Sequence, residues 1–249
     1  MSPLLAHGLR HTGRRARSED AHLIREDLGL VIVADGSSGA AGDLAARLAV
    51  DAVAGCFGVT EDHTLPSFEP EELADGLTTA TVRFAIERAH ERLHYEARRT
   101  GPPGMSTAVA VLVLAGPRVV VGHAGCARAY RLRGDTLDRL TIDTPLASPV
   151  TCPVGAPNRE IRPAVQADIW KPGDLYLLCT AGLHRVLGPE EIRCTLALRT
   201  SAADAATELV GRALHAGAAD DMTVVVATPN TGRRSAATRQ EQVEPNRVG

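Results

Sequence analysis

"LGLVIVADG", residues 28–36, sets the reading of the whole chain. Its aliphatic, β-branched run breaks at once into Asp35 and Gly36, the signature of a strand that ends in a turn and presents a carboxylate there. A second stretch, "LYLLCTAG" (175–182), has the same syntax but delivers Ala181. Two strand ends of one kind therefore carry a charge and a methyl group.

Outward from these two, short β-type runs dominate: "AHLI" (21–24), "TAVAVLVLA" (107–115), "RVVVGHA" (118–124), "ARAYRLR" (127–133) and "MTVVVAT" (222–228). The links "GP" at 116–117 and "GD" at 134–135 leave room only for hairpin turns, so the pairing is expected to be antiparallel. Three segments have helical spacing. The first, 43–57, has Leu44, Leu48 and Ala52 on one stripe; the second, 70–99, opens on Pro70 and two glutamates and carries Leu73, Leu77, Ala80 and Phe84. The third, 202–217, carries Ala206, Leu209, Val210 and Ala213 and stops at Gly217. Hairpin strands with a few amphipathic helices imply an α+β layered domain with helices on the outer sheet faces. One domain over 1–229 is expected, followed by a polar, disordered tail over 230–249.

With 249 residues the chain is long enough to bury a sizeable core, and a net charge of -3 excludes a nucleic-acid footprint. Five scattered cysteines lack metal-ligand spacing and argue against a disulfide framework, so a cytoplasmic protein is expected. No apolar stretch approaches membrane-spanning length.

Acidic residues cluster at the ends of apolar runs: Glu19 and Asp20 before "AHLI", Asp35 after "VIVA", Asp220 and Asp221 before "MTVVVA". Strand ends in layered β proteins converge at an edge, and carboxylates gathered there without His or Cys suit hard divalent cations such as magnesium or manganese. Two such ions activate water and clamp a phosphoryl group, and an arginine adds bidentate recognition of phosphate. His90 and His94 stand at zinc-type i,i+4 spacing, but with no third ligand nearby they read as an exposed polar face. Thr180 and Ser106 read as backbone-bonding turn residues. "GSSGAAG" (36–42) lacks the Lys-Ser/Thr ending of a P-loop and reads as a turn feeding a helix.

In order, "RRARSEDAHLI", "LGLVIVADGSSGAAGDLAARLAVDAV", "GMSTAVAVLV", "VVVGHAGCARAYRLRGDTLDRLT", "KPGDLYLLCTAGLHRVL" and "ADDMTVVVA" resemble the type 2C, metal-dependent serine/threonine protein phosphatases of the PPM family, in their bacterial form. The resemblance covers roughly residues 7–228. It implies a four-layer sandwich of two antiparallel β-sheets flanked by helices, with a binuclear manganese or magnesium centre at one edge. Residue by residue, Arg15 matches the phosphate-binding arginine and Glu19 an acid of the metal shell. Asp20 matches a neighbouring acid that supports the shell or holds metal-bound water. Asp35 matches the bridging carboxylate, Gly36 contributes its carbonyl, and Asp220 matches the C-terminal ligand. Asp221 stands where the family often has Asn.

Two positions depart from the pattern. The family's Ser-Asp-Gly turn is Thr180-Ala181-Gly182, and its Gly-Asp-Ser-Arg turn is Gly125-Cys126-Ala127-Arg128; His184 replaces the usual Trp. Ala181 and Cys126 thus stand where carboxylates are expected, which weakens one ion and lets His184 and Cys126 be weighed as a softer replacement site. The resemblance implies a monomeric hydrolase acting on phosphorylated proteins, with a Ser/Thr kinase or its target among its partners. The alternative is a pseudophosphatase that holds phosphoproteins without turnover.

Overall fold

The computed structural model describes residues 2–36, 41–58, 79–99, 105–142, 153–157 and 160–231. The expected helix opening at 70–78, residues 37–40 of the glycine-rich turn, Cys152 and the tail from residue 232 on lie outside the described residues. Among the described residues ten strands form two five-stranded sheets. One has the order β1-β10-β9-β6-β7, with β1 Leu4–His11, β6 Arg128–Arg133, β7 Thr136–Arg139, β9 Leu175–Cys179 and β10 Met222–Pro229. The other has the order β2-β3-β4-β5-β8, with β2 Asp20–Arg25, β3 Leu30–Gly36, β4 Thr107–Ala115, β5 Arg118–Ala124 and β8 Ala164–Ile169. Every pairing among the described residues is antiparallel, including the two hairpins, β4–β5 and β6–β7, expected from the short links.

Strand periodicity sorts the apolar residues into layers. In β3, Leu30, Ile32 and Ala34 face helices α1 (Gly42–Gly55) and α2 (Thr79–Arg99), while Val31 and Val33 face the opposite sheet. In β10, Val224 and Val226 face α4 (Pro189–Ala197) and α5 (Ala202–His215), while Val225 and Ala227 point between the sheets. The short helix α3 (Ala181–His184) lies on this same side. These strands are apolar throughout because both of their faces are covered. Each fully buried Val or Ile contributes about 1.5–3 kcal/mol. The order is helices, sheet, sheet, helices, the layering the sequence led us to expect.

Several details differ from the sequence reading. Helix α1 buries its alanine face, Ala45, Ala46, Ala49 and Ala52 with Val50 and Val53, and leaves Leu44 37% exposed. Small side chains let α1 lie close to both α2 and the sheet; of the expected stripe, Ala52 is buried, Leu48 packs against the core and Leu44 turns outward. Strands β1, β7 and β8 and helices α3 and α4 lacked a recognised apolar pattern. β1 and β8 are edge strands whose residues are only partly covered, which erases the alternation. His90 and His94 are half-buried, not on an open polar face: their Nε2 atoms lie 3.0 Å apart, and His90 Nδ1 accepts from the Gly155 N–H at 3.0 Å. No helix among the described residues is long and apolar enough to cross a membrane.

Candidate active site

The register of β2 on β3 sets Asp20 directly opposite Asp35. Close backbone contacts pin the surrounding loops to this edge. Gly13, at φ 60°, passes so near the Asp220 carbonyl that a Cβ would lie 2.2 Å from it. The Arg14 N–H donates to the Ala219 carbonyl at 2.8 Å, which brings the 12–19 loop onto the residues entering β10. Gly36 donates to the Glu19 carbonyl at 3.2 Å, and a Cβ there would lie 2.3 Å from the Gly42 carbonyl. Only glycine permits either approach.

Every acid singled out from the sequence meets here. Arg15 bridges three of them: Nη1 lies 2.7 Å from Glu19 Oε2, Nη2 2.9 Å from Asp220 Oδ1, and Nε 3.8 Å from Asp221 Oδ1. Asp221 turns inward as an anchor. Its Oδ2 accepts from the N–H groups of Glu19 (2.5 Å) and Asp20 (3.2 Å) and from the Ser18 hydroxyl (3.1 Å). A carboxylate with three donors is firmly held, so Asp221 fixes the backbone that presents Glu19 and Asp20.

Asp20 is 3% exposed. Its Oδ2 accepts from the Thr180 hydroxyl at 2.7 Å, and that hydroxyl in turn accepts from the Thr223 N–H at 2.8 Å. Thr180 is therefore more than a turn residue. Asp20 Oδ1 is buried with no hydrogen-bond partner. Burial, then the charge of Asp35, pushes the Asp20 carboxyl up to about 8; Thr180 opposes the shift. Asp35 rises to about 6, chiefly through burial and against the N–H of Ala181, which donates to its Oδ2 at 2.8 Å; the charge of Asp221 adds to the rise and that of Arg185 opposes it.

The end of β9 thus delivers a backbone donor to the carboxylate that β3 delivers. Residue 181 stands in the site and contributes an N–H. Cys126 is exposed, and its carbonyl, not its thiol, accepts from His184 Nε2 at 2.9 Å, which does not support a His–Cys metal site. Sequence reasoning missed Arg185, whose Nη1 lies 3.4 Å from Asp220 Oδ2. Its spacing of four residues after Ala181, one turn along a helix, was the available signal.

Five carboxylates face two guanidinium groups across this edge, and one buried carboxylate oxygen is orphaned. An all-oxygen donor set with excess negative charge fits a hard divalent cation. Among the described residues no three His, Cys, Asp or Glu side chains converge as ready metal ligands. Arg15 instead occupies Glu19 and Asp220, so the fit rests on Asp20 and Asp35 first and on exchange of Arg15 for the others.

No protein-family model matches the chain. Serine/threonine protein phosphatase PstP of Mycobacterium tuberculosis is 29% identical over 232 residues, covering 86% of this chain and 42% of PstP. The crystal structure of the PstP catalytic domain in complex with two manganese ions superposes with a TM-score of 0.74 at 26% identity, covering 90% of this chain and 97% of that one. PppA of Pseudomonas aeruginosa, described as a key regulatory component of T6SS, gives a TM-score of 0.75 at 28% identity, covering 92% and 98%. Over most of its length the chain is similar in sequence and fold to bacterial PPM-type serine/threonine protein phosphatases. The chain spans under half the length of the curated PstP relative while matching nearly all of the PstP catalytic domain.

Proposed function

We propose that this chain is a PPM-type phosphatase that hydrolyses phosphoserine and phosphothreonine esters of proteins with the help of manganese or magnesium. The Asp20–Asp35 pair carries the reading: two carboxyl groups placed side by side at strand ends, one with an orphaned oxygen, beside the guanidinium group of Arg15. The relatives support turnover over the pseudophosphatase alternative, since PstP is a serine/threonine phosphatase and its catalytic domain binds two manganese ions.

Asp20, Asp35, Glu19, Asp220 and the Gly36 carbonyl are the groups that would hold the ion. When bound, it supplies an acidified water and positive charge for the phosphoryl oxygens. Arg15, released from Glu19 and Asp220, binds the phosphate, for which its planar fork is suited. Asp221 keeps the Glu19–Asp20 backbone in register, Thr180 holds one oxygen of Asp20 and leaves the other open, and the Ala181 N–H fixes one oxygen of Asp35. Because Ala181 and Cys126 bring no carboxylate, a second ion is held more weakly than the first. Among the described residues Cys56, Cys126, Cys179 and Cys194 form no disulfide with one another, which accords with a reducing cytoplasm, and a protein kinase or its target is the expected partner.

Calorimetric titration of manganese, run beside p-nitrophenyl phosphate and phosphopeptide assays, tests this. Saturable binding and turnover are expected, with Asp35→Asn lowering turnover at least about a hundredfold. Absent turnover at saturating manganese would overturn the catalytic reading.

A further inference from the structure

Asp220 lies between two arginines. Its Oδ1 is 2.9 Å from Arg15 Nη2, and its Oδ2 is 3.4 Å from Arg185 Nη1. From these distances we infer that Arg185 is a second phosphate-binding residue, gripping the substrate from the side of Asp220 opposite Arg15. The inference rests on the phosphatase reading above.

Three observations carry it. First, Arg185 is held in place by its backbone while its side chain stands in solvent beside Asp220. The Arg185 N–H closes a helical turn onto the Ala181 carbonyl at 3.1 Å, and the Ala181 N–H donates to Asp35, so the stem rises from the turn that touches the reacting edge. Second, the two arginines differ in exposure. The Arg185 side chain is 62% exposed and that of Arg15 32%, which puts Arg185 at the rim, where a phosphate still attached to a protein must enter. Third, the Arg185–Asp220 pair is weak enough to exchange. An exposed ion pair at this separation adds little stability, and a phosphate dianion offers a guanidinium group stronger, bidentate bonds. The Asp220 carboxylate stands between the two forks as a phosphate oxygen pair would. The charge of Arg185 also reaches inward, holding the Asp35 carboxyl down against its burial.

The position suits selectivity for a dianionic phosphomonoester on a peptide. A monoanionic diester gives two guanidinium groups less charge and fewer free oxygens to share.

Binding of inorganic phosphate, measured by calorimetry with and without manganese, tests the assignment on the parent, Arg185→Gln and Arg185→Lys. We expect Arg185→Gln to weaken phosphate binding about tenfold and to raise the phosphopeptide KM similarly, with a much smaller change in kcat. Arg185→Lys should recover part of the loss, because it restores the charge but not the fork. Phosphate binding and KM unaltered in Arg185→Gln would overturn the role of Arg185 and leave the phosphatase reading standing. Phosphate binding that depends on Arg185 without any turnover would support the role and sink the phosphatase reading. A parent that binds no phosphate would overturn the role of Arg185, while turnover would still decide the phosphatase reading.

Discussion

Strands β3 and β9 enter the candidate site from different sheets, one carrying the carboxylate of Asp35 and the other the N–H of Ala181, and the two groups meet at 2.8 Å. Their sequences are alike up to the turn. What differs is the charge each brings to a crowded edge. Asp35 adds to a cluster whose negative charge raises the Asp20 carboxyl, whereas Ala181 adds a donor that lowers Asp35. A strand end can therefore build an anionic site by supplying charge or by steadying charge supplied elsewhere.

The largest expected effect comes from making the two ends equivalent. Ala181→Asp places another carboxylate beside Asp35 and should raise manganese affinity at least about tenfold, with a gain in turnover. The same substitution should lower the melting temperature of the chelator-treated protein, since like charges then crowd without a cation. Calorimetry and paired thermal melts read both; manganese affinity equal to that of the parent would show that residue 181 does not face the ion.

Next in size is the contact that ties β9 to Asp20. Thr180→Val removes the hydroxyl that donates to Asp20 and accepts from Thr223, leaving buried polar groups unpaired. A loss of about 1–3 kcal/mol is expected from urea denaturation. Stability equal to the parent's would mean that this hydroxyl relay does not hold the strand end.

The smallest effect, and the one most specific to the β3 side, is on pH dependence. The Asp20 carboxyl near 8 and the Asp35 carboxyl near 6 both lie above the unfolded value of 3.8, so the folded metal-free protein holds these protons more tightly than the unfolded chain. Their contribution is complete below about pH 4 and is lost as pH rises through about 6 and then 8. Salt-bridged Asp174, held below the usual carboxylate range despite its burial, works the other way and loses its contribution as pH falls. Asp20→Asn isolates the former term. In chelator its melting temperature relative to the parent should climb between about pH 4 and pH 8 and level off above that, and a constant difference would contradict the shift assigned to Asp20.

Much of the fold was legible because its central strands are covered on both faces. β3, β4, β5 and β10 read as unbroken apolar runs. Partly covered β1 and β8 hid because their residues satisfy no simple alternation. Helix α4 carried a signal that went unread: Gly188 followed by Pro189 at its first turn, with the Glu191 carboxylate accepting from the Gly188 N–H at 2.9 Å. Helix α1 buries Ala52 and packs Leu48 as expected but turns Leu44 outward, because close approach to α2 favours alanine over leucine.

The sequence by itself determined which strands end in acids, and hence that Glu19, Asp20, Asp35 and Asp220 would gather at an edge. Only the tertiary structure decided that Asp221 anchors a loop, that Thr180 orients Asp20 and that two arginines share Asp220. The physical reason is distance along the chain. Thr180 meets Asp20 across 160 positions and Arg15 meets Asp220 across 205, so the partner of each polar group is chosen by the packing of two sheets and cannot be read from its neighbours in sequence.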